Sequence, residues 1–192
     1  MSDDGIVVDM ETRYDRHRLT VKDYLEGTES LKPMELVFGV VREPPAPFYS
    51  HQAIVTRLTA KLYEHVDAHK SGIVCVSPID VVLDRERALV VQPDIVFIAH
   101  DRLPIVDRCV WGAPDLVVEV LSRATARRDR TTKVGWYDAY GVGECWLLDP
   151  ESDTIEVLQF GPSRRCRRFT GDDGLESSVL PHWNAVTRSI FE

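Results

Sequence analysis

The sequence has no apolar run long enough to cross a lipid bilayer, which needs about 20 residues. Its apolar stretches are short and interrupted by acids, as residues 116–121 are by Glu119. The first five residues, Met-Ser-Asp-Asp-Gly, lack the basic start and apolar segment of a secretory signal. We therefore expect a cytoplasmic protein that does not associate with membranes.

Basic residues are also scarce: 23 Lys and Arg stand against 31 Asp and Glu in 192 residues, a formal charge of −8. High-affinity nucleic-acid-binding proteins usually carry a basic surface, so such a role would require a local patch. The four cysteines are scattered without a C-x-x-C pair. This spacing argues against a zinc ribbon and against a thioredoxin-like redox site.

Several catalytic signatures are missing from the sequence: a Walker loop, G-x-S-x-G, H-E-x-x-H and a G-x-G-x-x-G after a strand. Their absence argues against NTP hydrolysis, serine hydrolysis and Rossmann-type cofactor binding. His65 and His69 are spaced like metal ligands on a helix, but no third ligand is evident nearby. A solvated helix face is the favoured interpretation of this pair.

The sequence does contain regularly patterned helices and strands. A capping box at Thr20 opens a short helix, Ser50 caps a longer amphipathic helix that Gly72 ends, and a third helix covers 126–140. The predicted strands are 35–42, 73–76, 79–83, 89–98, 116–121, 144–148 and 154–160, with an irregular connection over 102–113. This order predicts an α/β fold with a mixed central sheet flanked by helices, in one domain over 19–192 after a loose leader over 1–18.

Two carboxylates lie inside predicted strands, Asp94 in 90–98 and Glu119 in 114–121. A buried ionised carboxylate costs several kcal/mol unless a cation or donors compensate it. Two of them in neighbouring strands favour a shared cation, and Mg²⁺ suits carboxylate oxygens. The alternative is that Asp94 caps a turn after Pro93 and that Glu119 pairs with an arginine.

The strongest basic cluster follows Glu119 and consists of Arg123, Arg127, Arg128, Arg130 and Lys133. Helix N-termini favour anions, so the four arginines are candidates for binding nucleic-acid phosphates. Lys133 shares a helix face with Asp129 and Tyr137, and it could reach the cation to orient or activate a water. The alternative is a solvated helix on which Lys133 pairs with Asp129.

Five motifs occur in an order that resembles the Uma-two family of the PD-(D/E)XK nuclease superfamily. They are Glu35-Leu-Val-x-Gly, Gln92-Pro-Asp-Ile, Pro114-Asp-Leu-Val-Val-Glu-Val-Leu-Ser122, Asp129-Arg-Thr-Thr-Lys133 with Tyr137, and Tyr140-Gly-Val-x-Glu-Cys-Trp-x-x-Asp-Pro150. The resemblance extends from about Thr20 to the C-terminus. It implies a restriction-endonuclease-like fold and DNA hydrolysis that depends on Mg²⁺ or Mn²⁺.

The resemblance also implies roles for individual residues. Asp94 and Glu119 match the two superfamily carboxylates, and Glu35 matches an early acid that can join the metal site. Leu121 occupies the place of the superfamily lysine, and the resemblance implies that Lys133 replaces it from the next helix. Two further departures are Phe38, where an acid is common, and residues 122–125 in place of S-P-S-T.

Two other functions remain open at this point. One is a catalytically inactive nuclease-fold module for binding or assembly, which the acidic charge supports. The other is a metal-dependent hydrolase of a different phosphoester. Divalent-ion binding would separate the module from both enzymes, and a substrate panel would separate the two enzymes.

We expect the protein to form a two-fold homodimer, because cleavage of both strands of a duplex favours two symmetric active sites and such dimers are the commonest assembly. Light scattering at about tens of micromolar should therefore give twice the chain mass. A species of only 21.8 kDa would contradict this prediction.

Overall fold

The computed structural model describes residues 18–27 and 33–192. Residues 1–17 of the expected leader lie outside the described residues, and the single domain over 19–192 stays a prediction. The elements in chain order are α1 (Val21–Leu25), β1 (Glu35–Val37), β2 (Val40–Arg42), α2 (Tyr49–His69), β3 (Gly72–Val76), β4 (Val81–Asp84), β5 (Leu89–Val91), β6 (Ile95–Ala99), a 3-10 helix (His100–Ile105), β7 (Val110–Trp111), β8 (Leu116–Val120), α3 (Ala126–Arg128), a π-helical turn (Asp129–Lys133), α4 (Val134–Tyr140), β9 (Glu144–Asp149), β10 (Thr154–Gln159), β11 (Arg165–Thr170), β12 (Gly174–Leu175), β13 (Ala185–Val186) and α5 (Arg188–Phe191).

The first sheet has the strand order β2-β1-β5-β4-β7. The single strand predicted over 35–42 is wrong, because β1 and β2 form a hairpin. Phe38 and Gly39 turn the chain with φ angles of 49° and 85°, the positive values that a tight two-residue hairpin loop requires. The connection predicted over 102–113 likewise contains part of a 3-10 helix and strand β7.

The second sheet has the order β11-β10-β9-β8-β6-β3, and β8 pairs in parallel with β9 while the other strands pair antiparallel. The strand predicted over 89–98 is divided, since β5 belongs to the first sheet and β6 to the second. Pro93, which has no backbone N–H donor for a strand ladder, lies at the break. Asp94 is consequently placed directly before β6, where the chain crosses between the sheets.

Helix α2 covers one face of the second sheet. Its N-cap is Phe48 rather than the expected Ser50, and its C-cap after His69 is Lys70, which adopts a left-handed conformation (φ 50°). Gly72 begins β3 instead, where an added Cβ would lie 2.0 Å from the carbonyl oxygen of Ile98. The glycine therefore permits close strand approach and does not end the helix.

The central strands β6, β8 and β9 of the second sheet are buried on both faces. The apolar stripe of α2 packs on one face, through Ile54, Val55, Leu58, Leu62 and Val66. The first sheet and the helical segment 126–140 contribute side chains to a second core that contacts the other face. A mixed sheet flanked by helices is thus confirmed. None of the helices in 18–27 and 33–192 is long and apolar enough to span a membrane.

Leu58→Ala should lower the free energy of unfolding by about 2–5 kcal/mol, because Leu58 is fully buried between α2 and the sheet and truncation leaves a cavity. Urea titration measures this change. Tyr63→Ala on the same helix is the control, since Tyr63 is exposed and its loss should cost about 0.5 kcal/mol or less. Equal effects of the two substitutions would contradict the packing.

Candidate active site

A cavity of about 620 Å³ opens between the two sheets and the start of the helical segment 126–140. Asp94, Glu119, Glu35 and Lys133 all line it. The backbone N–H of Val120, next to Glu119, donates to Oδ2 of Asp94 at 2.7 Å. This hydrogen bond connects the start of β6 to the end of β8, so the two strand carboxylates face one cavity.

Glu119 lies on the strand face shared with Val117 and Leu121, as the alternation of β8 predicts, and these neighbours belong to the second core. Its Oε1 accepts a hydrogen bond from the hydroxyl of Tyr137. The same oxygen lies 2.6 Å from Nζ of Lys133. Glu119 is therefore compensated by a lysine and a tyrosine rather than by an arginine.

Lys133 is almost completely enclosed, with 4% of its side chain exposed, and its Nζ also lies 3.1 Å from Oε1 of Glu35. Arg128 completes the cluster, with a guanidinium nitrogen 2.6 Å from Oε2 of Glu35. The alternative of a solvated lysine paired only with Asp129 is therefore wrong. Two cations and two carboxylates form a buried network at the cavity wall.

The π-helical turn explains how Arg128 and Lys133 reach the same carboxylate. Residues five apart on a regular α-helix are about 140° out of alignment. A π-helical turn has i→i+5 hydrogen bonds and rotates less per residue than an α-helix, which brings residues five apart closer to the same side. The turn over Asp129–Lys133 thus places both cations against Glu35.

Burial raises the pKa of Glu119 to about 8, and the nearby charges of Asp129 and Asp94 add to the rise while Lys133 opposes it. For Lys133, burial favours the neutral amine, but the carboxylates of Glu119, Glu35 and Asp129 outweigh it and raise the pKa. Burial acts against ionisation of Glu35 too, yet Lys133 and Arg128 lower its pKa overall. The lysine is therefore a permanently charged centre of the network.

His51 is a site residue that the sequence reasoning missed. Its Nε2 lies 3.2 Å from Oδ2 of Asp94, and the histidine side chain is 14% exposed. Burial lowers the pKa of His51, but the hydrogen bond and charge of Asp94 raise it above the ordinary value. A signal was present, because His51 precedes Ile54 and Val55 by three and four residues and so extends the buried stripe of α2.

Most arginines of the basic cluster that follows Glu119 form ion pairs with carboxylates in the structure. Arg123 pairs with Glu151, Arg128 with Glu35, and Arg130 with both Asp149 and Glu156. Arg127 is exposed, and no carboxylate within 18–27 and 33–192 pairs with it. Nucleic-acid binding by these four arginines stays a prediction, with Arg127 the one whose charge is available.

The donor set of the cavity fits a hard divalent cation. Oδ1 of Asp94 and Oε2 of Glu119 accept no hydrogen bond from any described residue, and Mg²⁺ needs only one or two carboxylates because it retains waters. Both oxygens of Glu35 are occupied by cations. In the described part of the chain no three His, Cys, Asp or Glu side chains form a ready metal cage. Glu35 could join the metal only by leaving its ion pairs.

His65 and His69 lie away from this site, and His65 lines a second cavity of about 440 Å³. His65 packs edge-on against Trp183, with ring centroids 5.4 Å apart, and its Nε2 lies 3.1 Å from the carbonyl oxygen of Pro181. These contacts agree with a packing role for His65.

Residues 21–188 match the model of the Uma2 family, which is described as "Putative restriction endonuclease". The match covers most of the sequence, and the chain therefore belongs to this family. Restriction-endonuclease-like families generally use a divalent metal ion. The fold and the nuclease-like character expected from the sequence motifs are thereby confirmed.

The chain also resembles a crystal structure from Anabaena variabilis of "a putative nuclease belonging to DUF820". The TM-score is 0.78 with 19% identity, over 90% of this chain and 97% of the other. A likeness at this identity establishes a shared fold. A comparison with functionally curated proteins gives no match.

The stability of the metal-free protein should fall as pH rises from about 4.5 to about 8. The pKa of Glu119 is about 8 in the folded chain against an ordinary 4.5, so the folded state holds a proton that the unfolded state has released. The pKa of His51 is also raised in the folded chain, so this residue likewise lowers the free energy of unfolding as pH rises above its ordinary pKa of 6.5. Glu119→Gln should make the decline shallower in urea titrations with EDTA.

Glu64→Gln provides the control for this measurement, because Glu64 is exposed on α2 and its loss should leave the slope unchanged. A decline in the Glu119→Gln protein as steep as in the wild type would show that Glu119 does not titrate in this range.

Proposed function

We propose that this member of the Uma2 family hydrolyses DNA phosphodiester bonds with the help of Mg²⁺ or Mn²⁺. The observation that carries the proposal is the lysine enclosed by Glu35 and Glu119 at a cavity that Asp94 also lines. Phosphodiester hydrolysis needs positive charge where the phosphoryl oxygens gain negative charge and a positioned water. The cavity offers candidates for both.

Asp94 and Glu119 would hold the ion through their free oxygens, with Glu35 as a candidate third carboxylate. When bound, the ion supplies a Lewis acid for the phosphoryl oxygens. Val120 N–H and His51 orient the Asp94 carboxylate from two directions. Tyr137 and Lys133 fix the carboxylate of Glu119.

Lys133 has the charge and the rigid placement that the reaction requires. We assign it to orient the attacking water or to stabilise the negative charge that develops on the phosphate. Leu121, at the superfamily lysine position, is buried in the second core and supplies no charge. Lys133 reaches Glu119 from the helical segment 126–140, which supports the proposal that it replaces the superfamily lysine.

A catalytically inactive nuclease-fold module for binding or assembly is the second candidate. It is favoured by the charge of −8 and by the pairing of Arg123, Arg128 and Arg130 with carboxylates. Hydrolysis of another phosphoester would use the same metal and lysine. The homodimer and the cytoplasmic location belong to the proposal as well.

Supercoiled and single-stranded DNA incubated with Mg²⁺ or Mn²⁺ should be cleaved by the wild-type protein. Glu119→Gln and Lys133→Met should each slow cleavage by about 100-fold or more, because they remove a metal carboxylate and a pre-positioned charge. Lys70→Met is the matched control, since Lys70 is exposed and, among the described residues, pairs only with Asp67 at 2.7 Å. Gel assays and circular dichroism record activity and folding.

Calorimetry with Mn²⁺ separates the candidates. A wild-type protein that binds no divalent ion would support the non-catalytic module and contradict the enzyme. Metal binding with cleavage of a nitrophenyl phosphodiester, but not of DNA, would indicate a different phosphoester. If folded Lys133→Met protein cleaves DNA at the wild-type rate while Glu119→Gln does not, the lysine assignment is wrong.

A further inference from the structure

One wall of the cavity is apolar and carries an exposed aromatic ring. Pro44, Pro45, Ala46, Pro47 and Phe48 form this wall. Phe48 is 80% exposed, although it is among the largest apolar residues of the chain. A single exposed apolar residue needs no explanation, but this ring borders the cavity that contains the candidate catalytic carboxylates.

The position of Phe48 relative to the site is fixed by the backbone. Phe48 is the N-cap of α2, and the prolines before it restrict the chain because each fixes its own φ angle. His51, three residues later and about 4.5 Å further along the helix axis, contacts Asp94. One rigid helix start therefore holds both the aromatic ring and the histidine that touches a metal carboxylate.

Charge alone provides little attraction for a DNA strand at this cavity. Its lining cations Arg123, Arg128 and Lys133 are all paired with carboxylates. Asp149 and Glu151 line the cavity as well. Stacking of a base on an aromatic ring does not depend on phosphate contacts, and it is a standard source of affinity for single strands.

The cavity size points to one nucleotide rather than to a duplex. A volume of about 620 Å³ is typical of a small-molecule site. Enzymes that bring a nucleotide into such a pocket act on single strands or unstack the nucleotide first. An unpaired base can enter beside the apolar wall while its phosphate approaches Asp94 and Glu119.

We propose that Phe48 is a stacking platform for an unpaired nucleobase beside the scissile phosphate, so that the preferred substrate is single-stranded or locally unpaired DNA. This inference rests on the proposed nuclease function, since it specifies the substrate class of the same site. The aromatic ring provides affinity without base specificity, because every base has a stacking face.

Binding of a single-stranded oligothymidylate with one 2-aminopurine tests the proposal in Ca²⁺, and cleavage is measured separately in Mg²⁺ or Mn²⁺. Wild-type protein should bind this strand more tightly than its duplex and quench the 2-aminopurine fluorescence. Phe48→Ala should weaken single-strand binding by about tenfold and remove the quenching. Phe48→Trp should retain both, because it keeps an aromatic face.

Tyr63→Ala is the matched control, since Tyr63 is an exposed aromatic residue of the same helix that lines neither cavity. Circular dichroism checks that each variant is folded. If wild type cleaves DNA but Phe48→Ala binds and quenches like Tyr63→Ala, the stacking inference is wrong and the nuclease stands. If wild type neither binds nor cleaves any DNA, the nuclease proposal itself fails.

Sedimentation tests whether a second copy of the chain, rather than a nucleobase, covers the apolar wall. If Phe48→Ala converts a dimer into a monomer while single-strand binding is unchanged, the ring contacts a second copy of the chain and the stacking inference is overturned. An unchanged association state together with weakened single-strand binding supports the stacking platform.

Discussion

The ammonium group of Lys133, enclosed between Glu35 and Glu119, is the interaction on which the arrangement of the site depends. It connects β1 of the first sheet, β8 of the second sheet and the helical segment 126–140. Removing one partner from a buried ion pair costs about 3–5 kcal/mol, because an uncompensated charge remains. The network therefore specifies how the two sheets and the helical segment are placed around the cavity.

Part of this organisation follows directly from local sequence patterns. The apolar stripe of α2 predicts a helix packed on a sheet, and the carboxylates of Asp94 and Glu119 within apolar runs indicate a compensated buried charge. The Thr20 capping box of α1 is also local, since the backbone N–H groups of Thr20 and Asp23 each donate to the other residue's side chain. Such features depend on near neighbours, which is why the sequence reveals them.

The remaining features depend on contacts between distant segments. The division at Pro93 is visible as a strand interruption, but only sheet pairing shows that β5 and β6 join different sheets. The π-helical turn has no distinctive sequence pattern, and its benefit appears only where Arg128 and Lys133 meet Glu35. Likewise, the basic cluster appears as free charge in the sequence because its acidic partners, such as Glu156, lie elsewhere in the chain.

The formal charges around the cavity provide a reason for a divalent ion at this place. Three lining cations, Arg123, Arg128 and Lys133, stand against six lining acids, a formal charge of −3; the acids are Glu35, Asp94, Glu119, Asp129, Asp149 and Glu151. Without an ion, burial together with the charges of Asp129 and Asp94 raises the pKa of Glu119 to about 8, so its protonated form is favoured relative to an exposed glutamate. A divalent ion would offset most of this excess and favour the ionised form of Glu119, because metal ligands bind in their deprotonated form. In the proposed enzyme, metal binding and ionisation of Glu119 would therefore be coupled, with Lys133 charged in either state.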